Sequence, residues 1–105
     1  MVEGAARLPY TLDAMRIARR YLVVGRVQGV GFRYFAQQRA GDEGLDGWVR
    51  NTSDGDVEVE AAGDIESLTR FEQHLRVGPR GARVDRVDTA NVAAAAAPVG
   101  FRVRS

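Results

Sequence analysis

"RYLVVGRVQGVGFRYFAQQRA", residues 20–40, changes its hydrophobic period halfway along. Its first eight residues are largely β-branched and aromatic, which suits a strand buried on much of both faces and therefore interior to a sheet. From Phe32 onward, Phe32, Phe35, Ala36 and Ala40 recur at helical spacing. They predict a helix from Phe32 to about Ala40, weakened at its end by Gly41 and Gly44. A strand that passes through a glycine-rich corner into a helix points unpaired N–H groups toward one spot, where the helix dipole adds partial positive charge. Such a corner suits an anion. Gly29 and Gly31 let the backbone curl close around a phosphate, and Arg33 offers a planar fork for two of its oxygens. Glycines at such a turn can equally be plain steric relief, and the stretch matches neither GxGxxG nor GxxxxGK[ST]. Spacing alone leaves both readings open.

The remaining elements follow from alternation and punctuation. "LDGWVRNTSDGDVEVEAAG", residues 45–63, reads as a hairpin: Asp54-Gly55 is a turn signal, and Val57, Val59 and Ala61 alternate with Glu58 and Glu60. Asp64 is placed to cap a second helix with Ile65, Leu68, Phe71 and Leu75 on one side and Gly78-Pro79 as its stop. Residues 82–91 predict a further strand in which Val84 and Val87 are out of step, as a bulge would make them. "VAAAAAPVG" reads as a connector and "FRVRS" as a short terminal strand. The order is β-α-β-β-α-β with a possible extra C-terminal strand, the pattern of an α+β, ferredoxin-like two-layer sandwich with two helices on one face of an antiparallel sheet. Residues 1–18 have no clear period and are expected to be a peripheral N-terminal extension, with residues 19–105 as the single domain.

Composition excludes several chemistries. The 105 residues include no cysteine and no lysine, and all 15 basic residues are arginine. Thiolate nucleophiles, cysteine zinc sites, Schiff bases and a P-loop lysine are therefore unavailable. The one histidine, His74, lies off the apolar side of its helix and reads as a surface residue. A net charge of +1 gives no polyelectrolyte signal toward nucleic acid or membrane. With no long apolar run and no signal-like N-terminus, the expected location is cytoplasmic. Asn51, at the end of the first hairpin strand, reads on its own as a turn residue bonding its own backbone. Trp48 and Phe71 read as core or edge packing, and the acidic set Asp54, Asp56, Glu58 and Glu60 as a turn and a wet strand face.

Taken together, "GRVQGVGFRYF" (25–35), "GWVRNTSDGDVEVE" (47–60) and "GPRGARVDRV" (78–87) resemble the acylphosphatase family over about residues 20–88, with "GFRVR" (100–104) as a plausible end. The resemblance implies hydrolysis of an acyl phosphate to a carboxylate and inorganic phosphate, with no cofactor, no metal and no covalent intermediate. It implies that Arg33 binds the phosphate, that the backbone of Gln28, Gly29, Val30, Gly31, Phe32 and Arg33 cradles it, and that Asn51 positions the attacking water. Thr52 is a supporting candidate. The polar, flexible end of the first helix at Gly41, Asp42 and Glu43 departs mildly from the family pattern. The inventory suits such chemistry: phosphoryl transfer can proceed by positioning and fixed electrostatics, and a carboxylate leaving group, whose conjugate acid has a pKa of roughly 4 to 5, needs little help from a general acid. The expected partner is a small-molecule acyl phosphate, bound by a monomer with no nucleic-acid or membrane partner.

Two other readings share the element order. One is a non-catalytic phosphate-binding or regulatory domain. The other is an RNA-recognition module, whose aromatic motif "QGVGFRYF" (28–35) superficially echoes. In that second reading the aromatics must lie on a central strand, whereas Phe32 and Phe35 are expected on a helix facing the core.

Overall fold

Alternation along four segments makes one side of a sheet apolar, and two helices are needed to cover it. A computed structural model describes residues 16–93 and 99–105. It contains β1 (Ile17–Arg26), α1 (Phe32–Asp42), β2 (Asp46–Asn51), β3 (Val57–Gly63), α2 (Ile65–Val77), β4 (Arg83–Val92) and β5 (Phe101–Arg104). The strands form one sheet in the order β4-β1-β3-β2-β5. This is the α+β ferredoxin-like arrangement with an added C-terminal strand. The sheet is mixed rather than wholly antiparallel as expected, because β5 pairs parallel to β2, with Phe101 opposite Gly47 and Val103 opposite Val49. β1 is an interior strand, paired on both sides. It starts earlier than alternation predicts: Ile17 and Ala18, expected in the N-terminal extension, pair with Gly63 and Ala62. Residues 1–15 of that extension, and 94–98 of the alanine connector, lie outside the described residues.

The core lies between the sheet and the helices. Tyr21 and Val23 of β1, Val57, Val59 and Ala61 of β3 and Val49 of β2 meet Phe32, Ala36 and Ala40 of α1 and Leu68, Phe71 and Leu75 of α2. Tyr21 meets the Phe71 ring edge-on at 5.8 Å between centroids, a favoured aromatic geometry. Ile65, expected on the buried side of α2, is exposed; it sits in the first turn, at the end of the apolar stripe. The out-of-step valines have the anticipated cause. Val24 pairs with Arg86 but Gly25 with Val84, so Asp85 is the extra residue of a bulge in β4.

Polar groups fasten the edges. Asp64 caps α2 by accepting a hydrogen bond from the Ser67 N–H at 2.8 Å. The polar end of α1 is tied to α2, where Arg70 Nε donates to both Glu43 carboxylate oxygens at 2.9 and 3.0 Å. On the sheet face away from the helices, Arg50 and Arg20 pair with Glu58 and Glu60 at 2.6 and 2.7 Å. Trp48 lies on this face rather than in the core, with the Arg104 guanidinium 4.7 Å and the Arg20 guanidinium 5.8 Å from its ring centroid. Asp46 joins three segments by accepting from Arg16 Nη2 at 2.6 Å and from the Gly100 N–H at 2.7 Å. Partial burial opposes its ionisation, but the Gly100 amide and the Arg16 guanidinium outweigh that and hold its carboxyl below the usual value.

Among the described residues, the Tyr21 hydroxyl is the one buried side-chain polar atom without a hydrogen-bond partner. Burial, and then the Glu72 carboxylate, push its pKa up to about 12, against the smaller opposing influence of Arg19. A buried donor without a partner costs free energy that its removal returns. Tyr21→Phe is therefore expected to leave stability unchanged or raise it by up to about 1 kcal/mol in urea unfolding. A loss of that size would reveal a partner for the hydroxyl.

The Asp64 carboxyl is also held low, chiefly by the Ser67 N–H. Since the folded-state values of Asp46 and Asp64 lie below those of the unfolded chain, their stabilisation is complete above about pH 4 and disappears as pH falls through the folded-state values. Urea midpoints measured from pH 6 to pH 2 should fall across that window, and the fall should be shallower in Asp46→Asn.

Candidate active site

Two loops at one end of the sheet carry the site. The first joins β1 to α1, and its side chains divide by polarity. Val27 and Phe32 are buried and Val30 packs against the core, while Gly29 and Gly31 between them are exposed. The apolar side chains thus anchor a loop whose backbone faces outward. Gly29 and Gly31 have φ of 77° and 76°, a left-handed conformation costly to any residue with a Cβ, and no non-glycine residue described has a positive φ. Gly31 is the N-cap of α1 and provides no side-chain cap. Among the described residues, the Phe35 N–H is the first to bond back into the helix, to the Gly31 carbonyl at 3.0 Å.

The second loop joins β2 to β3. Its turn is closed by Thr52, whose N–H donates to the Asp56 carbonyl at 2.9 Å and whose Oγ1 accepts from the Asp56 N–H at 3.1 Å. The turn-forming role considered for Asn51 is thus performed by its neighbour. Asn51 itself is the last residue of β2, paired with Val57 through the backbone ladder. Its side-chain amide makes no hydrogen bond among the described residues and is half-buried at the loop's edge.

Gln28 holds the loops together. Its Nε2 donates to the Thr52 carbonyl at 2.8 Å and to the Asp56 carbonyl at 2.9 Å. Between the loops lies a cavity of about 190 Å³ lined by Gly29, Gly31, Phe32, Arg33, Tyr34 and Asn51. Five residues singled out in the sequence, Gly29, Gly31, Phe32, Arg33 and Asn51, therefore come together. Gln28, Val30 and Thr52 do not line the cavity, their side chains being engaged in joining, packing and closing the loops. Tyr34 was missed; its signal was an aromatic ring in the first turn of α1, off the Phe32, Phe35, Ala36 and Ala40 stripe.

Arg33 is steadied by the C-terminal strand, its Nη1 donating to the Arg104 carbonyl at 2.9 Å. The Arg104 side chain rests on Trp48, so the strand end that supports Arg33 is itself fixed to the sheet. A guanidinium, a helix N-terminus with glycines at its entrance and a free side-chain amide then face one small space. That combination can hold a tetrahedral anion and a water beside it. Among the described residues no group of three or more histidine, cysteine, aspartate or glutamate side chains could hold a metal ion, and no helix is long and apolar enough to cross a membrane.

Fold and site together define a small α+β sandwich with a small cavity at a strand-to-helix corner. The acylphosphatase family model matches residues 19–103. A curated acylphosphatase of Koribacter versatilis (strain Ellin345) is 49% identical over 106 residues, covering 97% of this chain and 96% of that protein. Among solved structures, an acylphosphatase from Coxiella burnetii superposes with a TM-score of 0.83 at 35% identity, covering 88% of this chain and 96% of the other. Another, from Bacillus subtilis, gives 0.82 at 35% identity, covering 85% and 99%. The chain belongs to the acylphosphatase family, the enzymes that hydrolyse acyl phosphates. The RNA-recognition reading also fails on placement, since Phe32 lies on a helix and is only 2% exposed, leaving no face on which a base could stack.

The link between the loops is testable. Gln28→Ala removes two hydrogen bonds, which at about 1 kcal/mol each should lower stability in urea by about 1–2 kcal/mol. It should also lower kcat, because the loop after Asn51 loses its tie to the β1–α1 corner. Stability and kcat both at the parental level would show that the loops hold their places without it.

Proposed function

We propose that the enzyme hydrolyses its acyl phosphate by direct attack of water at phosphorus, with Arg33 and the backbone of residues 28–33 binding the phosphoryl group and Asn51 orienting the water. The water oxygen bonds to phosphorus as the bond from phosphorus to the acyl oxygen breaks, and the carboxylate leaves with the electron pair. The proton released by the water passes to a phosphoryl oxygen. The guanidinium fork and the N–H groups at the glycine corner balance the charge spread over the equatorial oxygens. They are fixed before the substrate arrives: Arg33 by the Arg104 carbonyl and the corner by Val27, Val30 and Phe32.

The observation that carries this reading is the shared cavity, where Arg33 from α1 and Asn51 from β2 meet across the glycine corner. Asn51 is suited to orienting water rather than abstracting its proton, because an amide is not a base at neutral pH. Thr52 supports the site through the loop it closes. No step calls on a metal, so turnover of acetyl phosphate is expected to be the same with and without EDTA. We also propose that residues 1–14 lie outside the catalytic unit, so that a chain beginning at Met15 should retain kcat/KM.

Two substitutions separate binding from water positioning. Arg33→Lys loses the two-pronged grip and should reduce kcat/KM for acetyl phosphate by about 100-fold or more, with weaker inhibition by inorganic phosphate. Asn51→Ala should lower kcat by about 100-fold while the inhibition constant of phosphate changes little. Parental kcat in Asn51→Ala would remove its assigned role.

A further inference from the structure

Of the six residues lining the cavity, one offers an exposed apolar side chain. Gly29 and Gly31 contribute backbone, Arg33 is cationic, Asn51 is an amide and Phe32 is buried. Tyr34 is different. Its side chain lines the same cavity yet is 64% exposed, so it stands at the mouth rather than in the wall. Among the described residues its hydroxyl has no hydrogen-bond partner, and its ring meets no other ring and no guanidinium at stacking distance.

Size makes this position matter. A cavity of about 190 Å³ is below the roughly 300–1,000 Å³ of a typical small-molecule pocket. After a phosphoryl group and an attacking water of about 30 Å³ are placed in it, little space is left for the acyl group. An acyl group larger than acetyl must therefore extend through the mouth, past Tyr34. The exposed ring offers it an apolar face, and offset stacking of two rings is favourable beyond the area it buries.

Resting on the hydrolytic reading above, we propose that Tyr34 determines acyl selectivity, favouring flat apolar acyl groups, above all aryl ones, over acetyl. The ring acts on the acyl tail and takes no part in the transfer of the phosphoryl group. Its contact is present in the bound substrate and in the transition state alike, so its loss is read in KM rather than in kcat.

The test compares benzoyl phosphate with acetyl phosphate in the parent, Tyr34→Phe and Tyr34→Ala. The two compounds differ in intrinsic reactivity, so the readout is the change in their kcat/KM ratio on substitution. Tyr34→Ala should lower the benzoyl-to-acetyl ratio by about threefold to tenfold, the factor that one aromatic contact supplies, through a higher KM for benzoyl phosphate. Tyr34→Phe, which keeps the ring, should retain the parental ratio. A ratio within about twofold of the parent in Tyr34→Ala, or an equal loss on both substrates, overturns the proposal while leaving the hydrolytic reading in place. A parent that turns over neither compound overturns both.

Discussion

The Gln28 side chain is the interaction on which the site depends. By donating to the Thr52 and Asp56 carbonyls it joins loops whose partners stand 24 and 28 residues from it in sequence. Without that bridge Asn51 would keep its place in the β2–β3 ladder, but the loop that follows it, from Thr52 to Asp56, would have no side-chain tie to the β1–α1 corner among the described residues. One primary amide donates to two backbone carbonyls of the hairpin loop, just past the end of the β2–β3 ladder, adding a link from the β1–α1 corner to the bond that the Thr52 N–H already makes to the Asp56 carbonyl. The loop is thus closed within itself by Thr52 and fixed from outside by Gln28, which leaves the Asn51 amide uncommitted.

The glycine corner shows how mobility in the unfolded chain becomes rigidity in the folded one. Gly29 and Gly31 adopt left-handed conformations that cost other residues about 1–2 kcal/mol, and the neighbouring Val27, Val30 and Phe32 are held by the core. The loop is fastened at positions 27, 30 and 32, with apolar side chains inward and the two glycines exposed between them. Arg33 is constrained in the same spirit. Its support comes from the carbonyl of Arg104 on β5, whose own side chain lies over Trp48, so the C-terminal strand helps to aim the guanidinium.

Much of this was legible in the residues, and the exceptions have physical reasons. Alternation located β2 and β3, helical spacing located both helices, and the mismatch of Val84 and Val87 anticipated the bulge at Asp85. The direction of β5 was hidden because four alternating residues specify a buried face but no partner. Ile17 and Ala18 escaped notice because the strand's apolar density rises only after Arg20. At the site, Gly29, Gly31, Phe32, Arg33 and Asn51 are lining residues that spacing and resemblance had named. Gln28 was understood as a backbone donor, since no local pattern reveals that its side chain crosses to another loop. Tyr34 lies off the apolar stripe of α1 and was passed over; only the cavity beside it gives its exposure a meaning.

The central claim is that phosphate is held by the backbone of the β1–α1 corner together with Arg33. Titration of the ¹⁵N-labelled protein with inorganic phosphate, followed residue by residue through amide and guanidinium resonances, tests it directly. The account predicts saturable shifts that are largest at the amides of residues 28–33 and at the Arg33 Nε, with smaller ones at Asn51. Saturable shifts centred instead on the open sheet face, around Arg20 and Arg50, with the corner unmoved, would contradict it.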